Sequence, residues 1–302
     1  MVGSGLGTIL ERDGAVYRVA TADGPVRAVL RGKVKRDQPR VVVGDVVRLE
    51  PETGGEIFGI AGVEPRRSLL ARRVPEGRGA RPVAANVDHV FAVTATVHPD
   101  PIPQLIDRLL VVAEANALPA AVVLNKTDLD AGLALEGRFV SAGYQVFRTS
   151  AKTGDGIAGL RGALLGGTSV VTGPSGAGKS SLLNAIQPGL RLRTGDLSPK
   201  VQRGRHTTVS AVMIPLEGGG YLMDTPGFSE VGLWGIDARE LAACFPEMRL
   251  PVSQCRYADC RHVSEPNCAV RAAVEDGGIA SDRYQSYLAL LAEIESEPKE
   301  WE

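Results

Sequence analysis

The chain has 302 residues, 44% hydrophobic and 23% charged, with a formal net charge of −1. These are the proportions of a globular protein of two or three domains, and the charge excludes a uniformly basic nucleic-acid binder. No apolar run approaches the roughly 18 residues of a membrane span. The first ten residues lack the basic stretch, apolar run and cleavage site of a secretory signal, so a cytoplasmic protein with no membrane partner is expected.

Charge is unevenly spread. Residues 1–82 hold 15 Lys and Arg against 10 Asp and Glu, while the remainder holds 19 against 25. A basic N-terminal module on an acidic body is either an electrostatic footprint for RNA or a solvated face.

In chain order, residues 15–20 and 26–30 alternate in the manner of short β-strands around a turn at Asp23-Gly24-Pro25, and 41–49 is another β-rich stretch with a turn inside it. Such spacing predicts a small barrel, OB-like or SH3-like. Residues 75–82, rich in Gly, Pro and Arg, read as a linker. Residues 90–95 then form an apolar strand. Leu105, Leu109, Val112 and Ala113 sit at helical spacing. Residues 121–124 and 145–149 are further strands, and 157–165 reads as a short helix. Residues 169–172 lead as a strand into a glycine-rich loop, a helix follows over 180–186, and a last strand over 221–223 ends at Asp224. Strands alternating with helices predict a mainly parallel sheet, with ligand motifs at the strands' carboxyl ends. Beyond about 235 the pattern becomes helical. The expected domains are 1–74, 75–235 and 236–302.

The glycine-rich loop, Gly173-Pro174-Ser175-Gly176-Ala177-Gly178-Lys179-Ser180 followed by Ser181, matches G-x-x-x-x-G-K-[ST] in full. Its backbone N–H groups and helix N-terminus suit phosphates, Lys179 the β- and γ-phosphates, and the Ser180 hydroxyl Mg²⁺. Asn125-Lys126-Thr127-Asp128 reads as a guanine motif. The Asp128 carboxylate can accept from the ring N–H and the exocyclic amine, donors that adenine lacks at those positions. Ser150-Ala151-Lys152, after the next strand, fits the second base-binding loop. Asp224-Thr225-Pro226-Gly227 fits a switch in which Asp224 holds Mg²⁺ and the Gly227 N–H senses the γ-phosphate. In the other switch, Gly204-Arg205-His206-Thr207-Thr208, Thr208 is favoured over Thr207 for Mg²⁺. His206 is either a residue that positions water or an ordinary loop histidine. Phe228 stands where a Ras-type enzyme has the water-orienting glutamine. The guanine motif precedes the phosphate loop, the reverse of the ordinary order, so the domain is expected to be circularly permuted.

All four cysteines lie late in the chain. Cys255, Cys260, His262 and Cys268 form a Cys₃His set within fourteen residues, the pattern of a structural tetrahedral Zn²⁺ site. Cys244, beside Phe245, is expected to be a core thiol.

Together these motifs, with Ala84-Ala85-Asn86-Val87-Asp88 and Arg283-Tyr284-Gln285-Ser286-Tyr287, resemble the circularly permuted small ribosomal subunit biogenesis GTPases of bacteria, the RsgA or YjeQ family. The resemblance implies a multi-domain α/β protein with an OB-like barrel, a permuted P-loop GTPase domain and a C-terminal helical zinc-binding module. It implies a monomer that binds GTP or GDP with Mg²⁺ and one structural Zn²⁺. Its partner would be the small ribosomal subunit and its rRNA, with particle-stimulated hydrolysis driving release. It also makes His206 the match of the family's proposed catalytic histidine. Val209 departs from a common third threonine. Asn267 departs from a common glycine, but asparagine tolerates a left-handed turn. Two other readings remain: an RNA-binding adaptor with GTP as a structural ligand, and a P-loop ATPase with an accidental guanine motif.

Overall fold

A computed structural model describes residues 5–32, 40–52, 57–73, 80–190, 211–224 and 236–296. The N-terminal strands β1 (Gly5–Asp13), β2 (Val16–Thr21), β3 (Gly24–Leu30), β4 (Val46–Pro51) and β5 (Phe58–Val63) close into a barrel in the order β1-β2-β3-β5-β4. β3 and β5 pair in parallel and the other neighbours are antiparallel. This Greek-key order resolves the sequence's two barrel options in favour of the OB type. The period-2 alternation sends Tyr17, Val19, Val47, Leu49 and Ile60 inward, each at most 3% exposed. The turn expected inside residues 41–49 falls at Gly44, whose φ is 89°, just before β4.

β6 (Leu69–Arg73) and β7 (Ala80–Ala85) form an antiparallel hairpin that straddles residues 74 and 75, so part of the expected linker is strand. The hairpin is tied to the barrel. Ala85 N–H donates to the Val43 carbonyl at 2.9 Å, and a Cβ on Gly44 would lie 2.0 Å from the Ala85 oxygen. Asn86 donates from Nδ2 to the Gly44 carbonyl and accepts from Arg67 N–H, both at 2.8 Å.

The central sheet has the order β10-β9-β8-β11-β13-β12. Its strands are β8 (His89–Ala95), β9 (Ala120–Asn125), β10 (Gln145–Arg148), β11 (Thr168–Thr172), β12 (Val212–Pro215) and β13 (Tyr221–Asp224). All neighbours are parallel except β12–β13. Both faces are covered, which is why β8 and β9 read as unbroken apolar runs. Val90, Ala92, Val122 and Leu124 join the core under helices α1 (Pro103–Ala115) and α2 (Leu133–Ser141). Phe91, Val93, Ala121 and Val123 join the core under α3 (Ile157–Leu164) and α4 (Lys179–Ile186).

The C-terminal module contains the short helices α5 (Arg249–Val252) and α6 (Ala269–Glu275) and the long α7 (Ser281–Ser296). Leu241, Phe245, Met248, Val270, Tyr287 and Leu291 fill its core, with Phe245 and Tyr287 edge to face at 5.6 Å. Cys244 is buried there, as expected for a core thiol, and burial pushes its thiol up to about 11. The module packs on α1, and its core is continuous with that of the sheet. Among the described residues, no helix is long and apolar enough to cross a membrane.

Candidate functional site

The motifs converge at the carboxyl ends of β8, β9 and β11. The phosphate loop leaves β11 at Gly173, whose φ of 143° brings it against β8: a Cβ there would lie 2.0 Å from the Val93 oxygen. Only glycine permits that approach. Gly176 and Gly178 also have positive φ, 79° and 87°, and Gly178 caps α4. Lys179 Nζ donates to the Gly173 and Pro174 carbonyls at 2.7 and 2.8 Å, so its ammonium lies within the loop. Ser180 follows in the first turn of α4 and is buried.

Asn125 joins the 125–128 motif to the glycine-rich loop and to the 150–152 loop. It is 2% exposed; its Nδ2 donates to the Ala177 carbonyl at 2.9 Å, and its Oδ1 accepts from Ala151 N–H at 3.2 Å. Its side chain therefore braces two loops against each other. Thr127 directs both its hydroxyl and its N–H to the Thr149 carbonyl, at 3.0 and 3.2 Å, and so fixes the motif to the following strand. Lys126 adopts φ 67° and its Nζ donates to the His98 carbonyl.

A cavity of about 350 Å³ opens here, lined by Asn125, Lys126, Asp128, Leu129, Ala151, Lys152, Gly178 and Ser181. It is large enough for a small ligand. Leu129, which is 56% exposed, lines the cavity without belonging to any motif in the sequence. An apolar residue directly after a polar motif, outside any helical or strand period, was the available signal. Asp224 ends β13 beside the phosphate strand. His206, Thr207, Thr208, Thr225, Gly227 and Phe228 lie outside the described residues.

The second site is in the C-terminal module. The ligand atoms of Cys255, Cys260, His262 and Cys268 all lie within 4.8 Å of one another. Cys255 Sγ is 3.5 Å from His262 Nδ1 and 4.0 Å from Cys268 Sγ, which is itself 3.4 Å from His262 Nδ1. Zinc bonds of about 2.3 Å to sulfur and 2.0–2.1 Å to nitrogen set tetrahedral neighbours roughly 3.5–3.8 Å apart, so the set fits one Zn²⁺. Burial, with the neighbouring thiols, pushes the Cys260 thiol up to about 12, a preference that a bound cation reverses. Burial likewise lowers His262, which favours the neutral ligand form.

The surrounding loop is held independently. Although partial burial opposes its ionisation, Glu265 accepts backbone N–H bonds from Arg261, Val263 and Ser264 at 2.8, 2.9 and 3.1 Å, which hold its carboxyl at about 2. Tyr284 and Tyr287 of α7 donate their hydroxyls to the carbonyls of His262 and Arg261. Asn267 adopts φ 57°, the left-handed turn expected of it.

A parallel sheet with a complete phosphate loop, and a base motif placed before that loop in the chain, defines a circularly permuted P-loop GTPase domain. It lies between an OB-type barrel and a helical module with a Cys₃His cluster. The chain belongs to the RsgA GTPase family, whose model matches residues 63–234. It is 46% identical to the small ribosomal subunit biogenesis GTPase RsgA of Gemmatimonas aurantiaca, over 97% of this chain and 99% of that one. The RsgA of Moorella thermoacetica is 45% identical over 95% and 97% of the two chains. Among solved structures, YjeQ from Thermotoga maritima superimposes with a TM-score of 0.81 at 35% identity, covering 98% of this chain and 100% of that one. YloQ, described as a circularly permuted GTPase, gives 0.77 at 30% identity, covering 98% and 97%.

Proposed function

We propose that this chain is a GTPase that binds the small ribosomal subunit and assists its late maturation, with hydrolysis stimulated by the particle and release following hydrolysis. The relatives named as small-subunit biogenesis GTPases support the task. The observation that carries the chemistry is Asn125, which couples a base cavity to a phosphate loop.

In this reading Asp128 selects guanine, while the Lys126 stem, Leu129 and the 150–152 loop enclose the base. The phosphate-loop amides and Lys179 hold the phosphates. Ser180, Asp224 and Thr208 would hold Mg²⁺, which neutralises charge on the transferring phosphoryl group when bound. The Gly227 N–H reports the γ-phosphate and His206 positions the attacking water. Phe228 cannot orient water, so that task falls to His206, and the particle stimulates the turnover. The protein's chemical contribution is positioning and charge stabilisation. Cys255, Cys260, His262 and Cys268 hold a structural Zn²⁺.

Residues 1–74 form the RNA-binding barrel, 75–235 the GTPase domain and 236–302 the zinc module, in a cytoplasmic monomer that contacts rRNA. The test is hydrolysis of GTP with and without purified small subunits, with ATP as control. Stimulation of GTP turnover alone is expected. GTP binding with no stimulation would favour the adaptor reading, and equal use of ATP would favour an ATPase.

A further inference from the structure

Asp107 lies on the apolar stripe of α1 and is completely buried. It accepts from Arg138 of α2 at 2.5 Å and from Arg283 of α7 at 2.6 Å. The other edge of Arg283 donates to both oxygens of Glu247, at 2.6 and 3.1 Å, and its guanidinium lies 4.8 Å from the centre of the Phe245 ring. Arg283 is 1% exposed. Burial opposes its charge, but Glu247 and Asp107 outweigh that and raise it further above its ordinary value. Two buried arginines and two buried carboxylates thus lock α1 and α2 to the C-terminal module. At the rim, Arg108 pairs with Glu293 and Arg249 with Glu114. Breaking one member would strand a buried charge, so these elements are held to move together.

The segment that leads into the N-terminus of α1 reaches the base and phosphate loops. Between β8 and α1, Thr96 Oγ1 donates to the Lys126 carbonyl at 3.1 Å, and the His98 carbonyl accepts the Lys126 ammonium. Pro99 Cδ lies 3.0 Å from where a Cβ on Gly176 would be. One short segment therefore touches both loops and continues directly into α1. A ligand that draws the Lys126 ammonium toward itself releases His98. That is a differential contact of the kind a conformational shift requires.

We propose that residues 96–102 and α1 form a lever through which nucleotide occupancy and the C-terminal module regulate each other. The proposal rests on the cavity being a guanine-nucleotide site. The route is separate from the chain connection after Asp224. By reciprocity, a partner that grips the module changes nucleotide affinity by the same factor as nucleotide changes its grip.

The test is hydrogen exchange on the full-length, zinc-loaded protein, empty and with GDP or a non-hydrolysable GTP analogue. Nucleotide is expected to slow exchange in α4, and also in α7, the latter by on the order of fivefold. In Asp107→Asn the α4 response should persist while the α7 response is lost. If that variant fails to fold, Pro99→Gly, at the exposed end of the lever, should give the same separation. A wild-type α7 unmoved by nucleotide while α4 slows would overturn the lever alone. So would an α7 response that survives intact in the variants that fold. If nucleotide leaves α4 itself unaffected, the reading of the cavity falls, and the lever with it.

Discussion

Ser150 and Asp128 meet across two loops: the Ser150 hydroxyl, fully buried, donates to Asp128 Oδ1 at 2.7 Å. Thr153 N–H donates back to Ser150 Oγ at 3.1 Å, which leaves the serine proton directed at the carboxylate. The group assigned to guanine is thus aimed before any base arrives. Ser150→Ala should weaken GTP binding roughly tenfold by freeing that carboxylate to rotate. Asp128→Asn should weaken it on the order of 100-fold without improving ATP. Titration with fluorescent nucleotides measures both, and undiminished GTP affinity in Asp128→Asn would refute the base site.

Asn125→Ala should act on both halves of the cavity at once. It leaves the Ala177 carbonyl and the Ala151 N–H without their partner in a buried place, at a cost of about 1–3 kcal/mol in stability. GTP and GDP affinities should fall together, because neither bond concerns the γ-phosphate. Chemical denaturation and nucleotide titration of the same preparation check this. Lys179→Ala, by contrast, should abolish tight nucleotide binding with little loss of stability.

Cys260→Ser should release zinc and loosen the C-terminal module. Glu265→Ala should keep the four ligands but give faster loss of zinc to a chelator, because three backbone N–H groups that shape the ligand loop lose their acceptor. Metal analysis and chelator kinetics separate the two effects. Unchanged zinc content in Cys260→Ser would remove that residue from the ligand set.

Asp88 gives a pH signature at the junction of hairpin and sheet. Partial burial raises its carboxyl, but Arg67 at 2.6 Å and the Thr168 N–H at 2.9 Å outweigh it and hold the group below its ordinary 3.8. A depressed folded-state value means that the stabilisation is complete above about pH 4 to 5 and disappears as pH falls through the folded value. Asp88→Asn should therefore be less stable than wild type at neutral pH by a constant margin, and the two should converge below 3.8. Urea unfolding at several pH values measures the margin.

The chemistry was legible in the sequence where local rules dictate it. A phosphate loop needs its glycines in sequence, a base motif follows its strand, and the Cys₃His cluster here lies within fourteen residues. Asn267 could be placed in a left-handed turn from its residue type alone. What local patterns do not reveal is pairing over distance. Asp107 and Arg283 are 176 positions apart, and no local pattern around either one pairs them. Residues 80–82 read as linker from their Gly and Pro surroundings, yet β6 supplies the partner that makes them strand. Thr127 sits inside a ligand motif, but its hydroxyl serves the neighbouring backbone.

The permuted strand order also determines what the growing chain must endure during synthesis. β8 pairs with β9 on one side and with β11 on the other. Translation delivers β8, β9 and β10 first, so the nascent half-sheet holds β8 as an open, largely apolar edge until Thr168–Thr172 emerges. Such an edge is a template for wrong pairing. The half that carries the 125–128 motif is complete before the glycine-rich loop exists. Nucleotide can therefore stabilise this domain only at the close of its synthesis, and the exposed edge must be kept safe until then by other means.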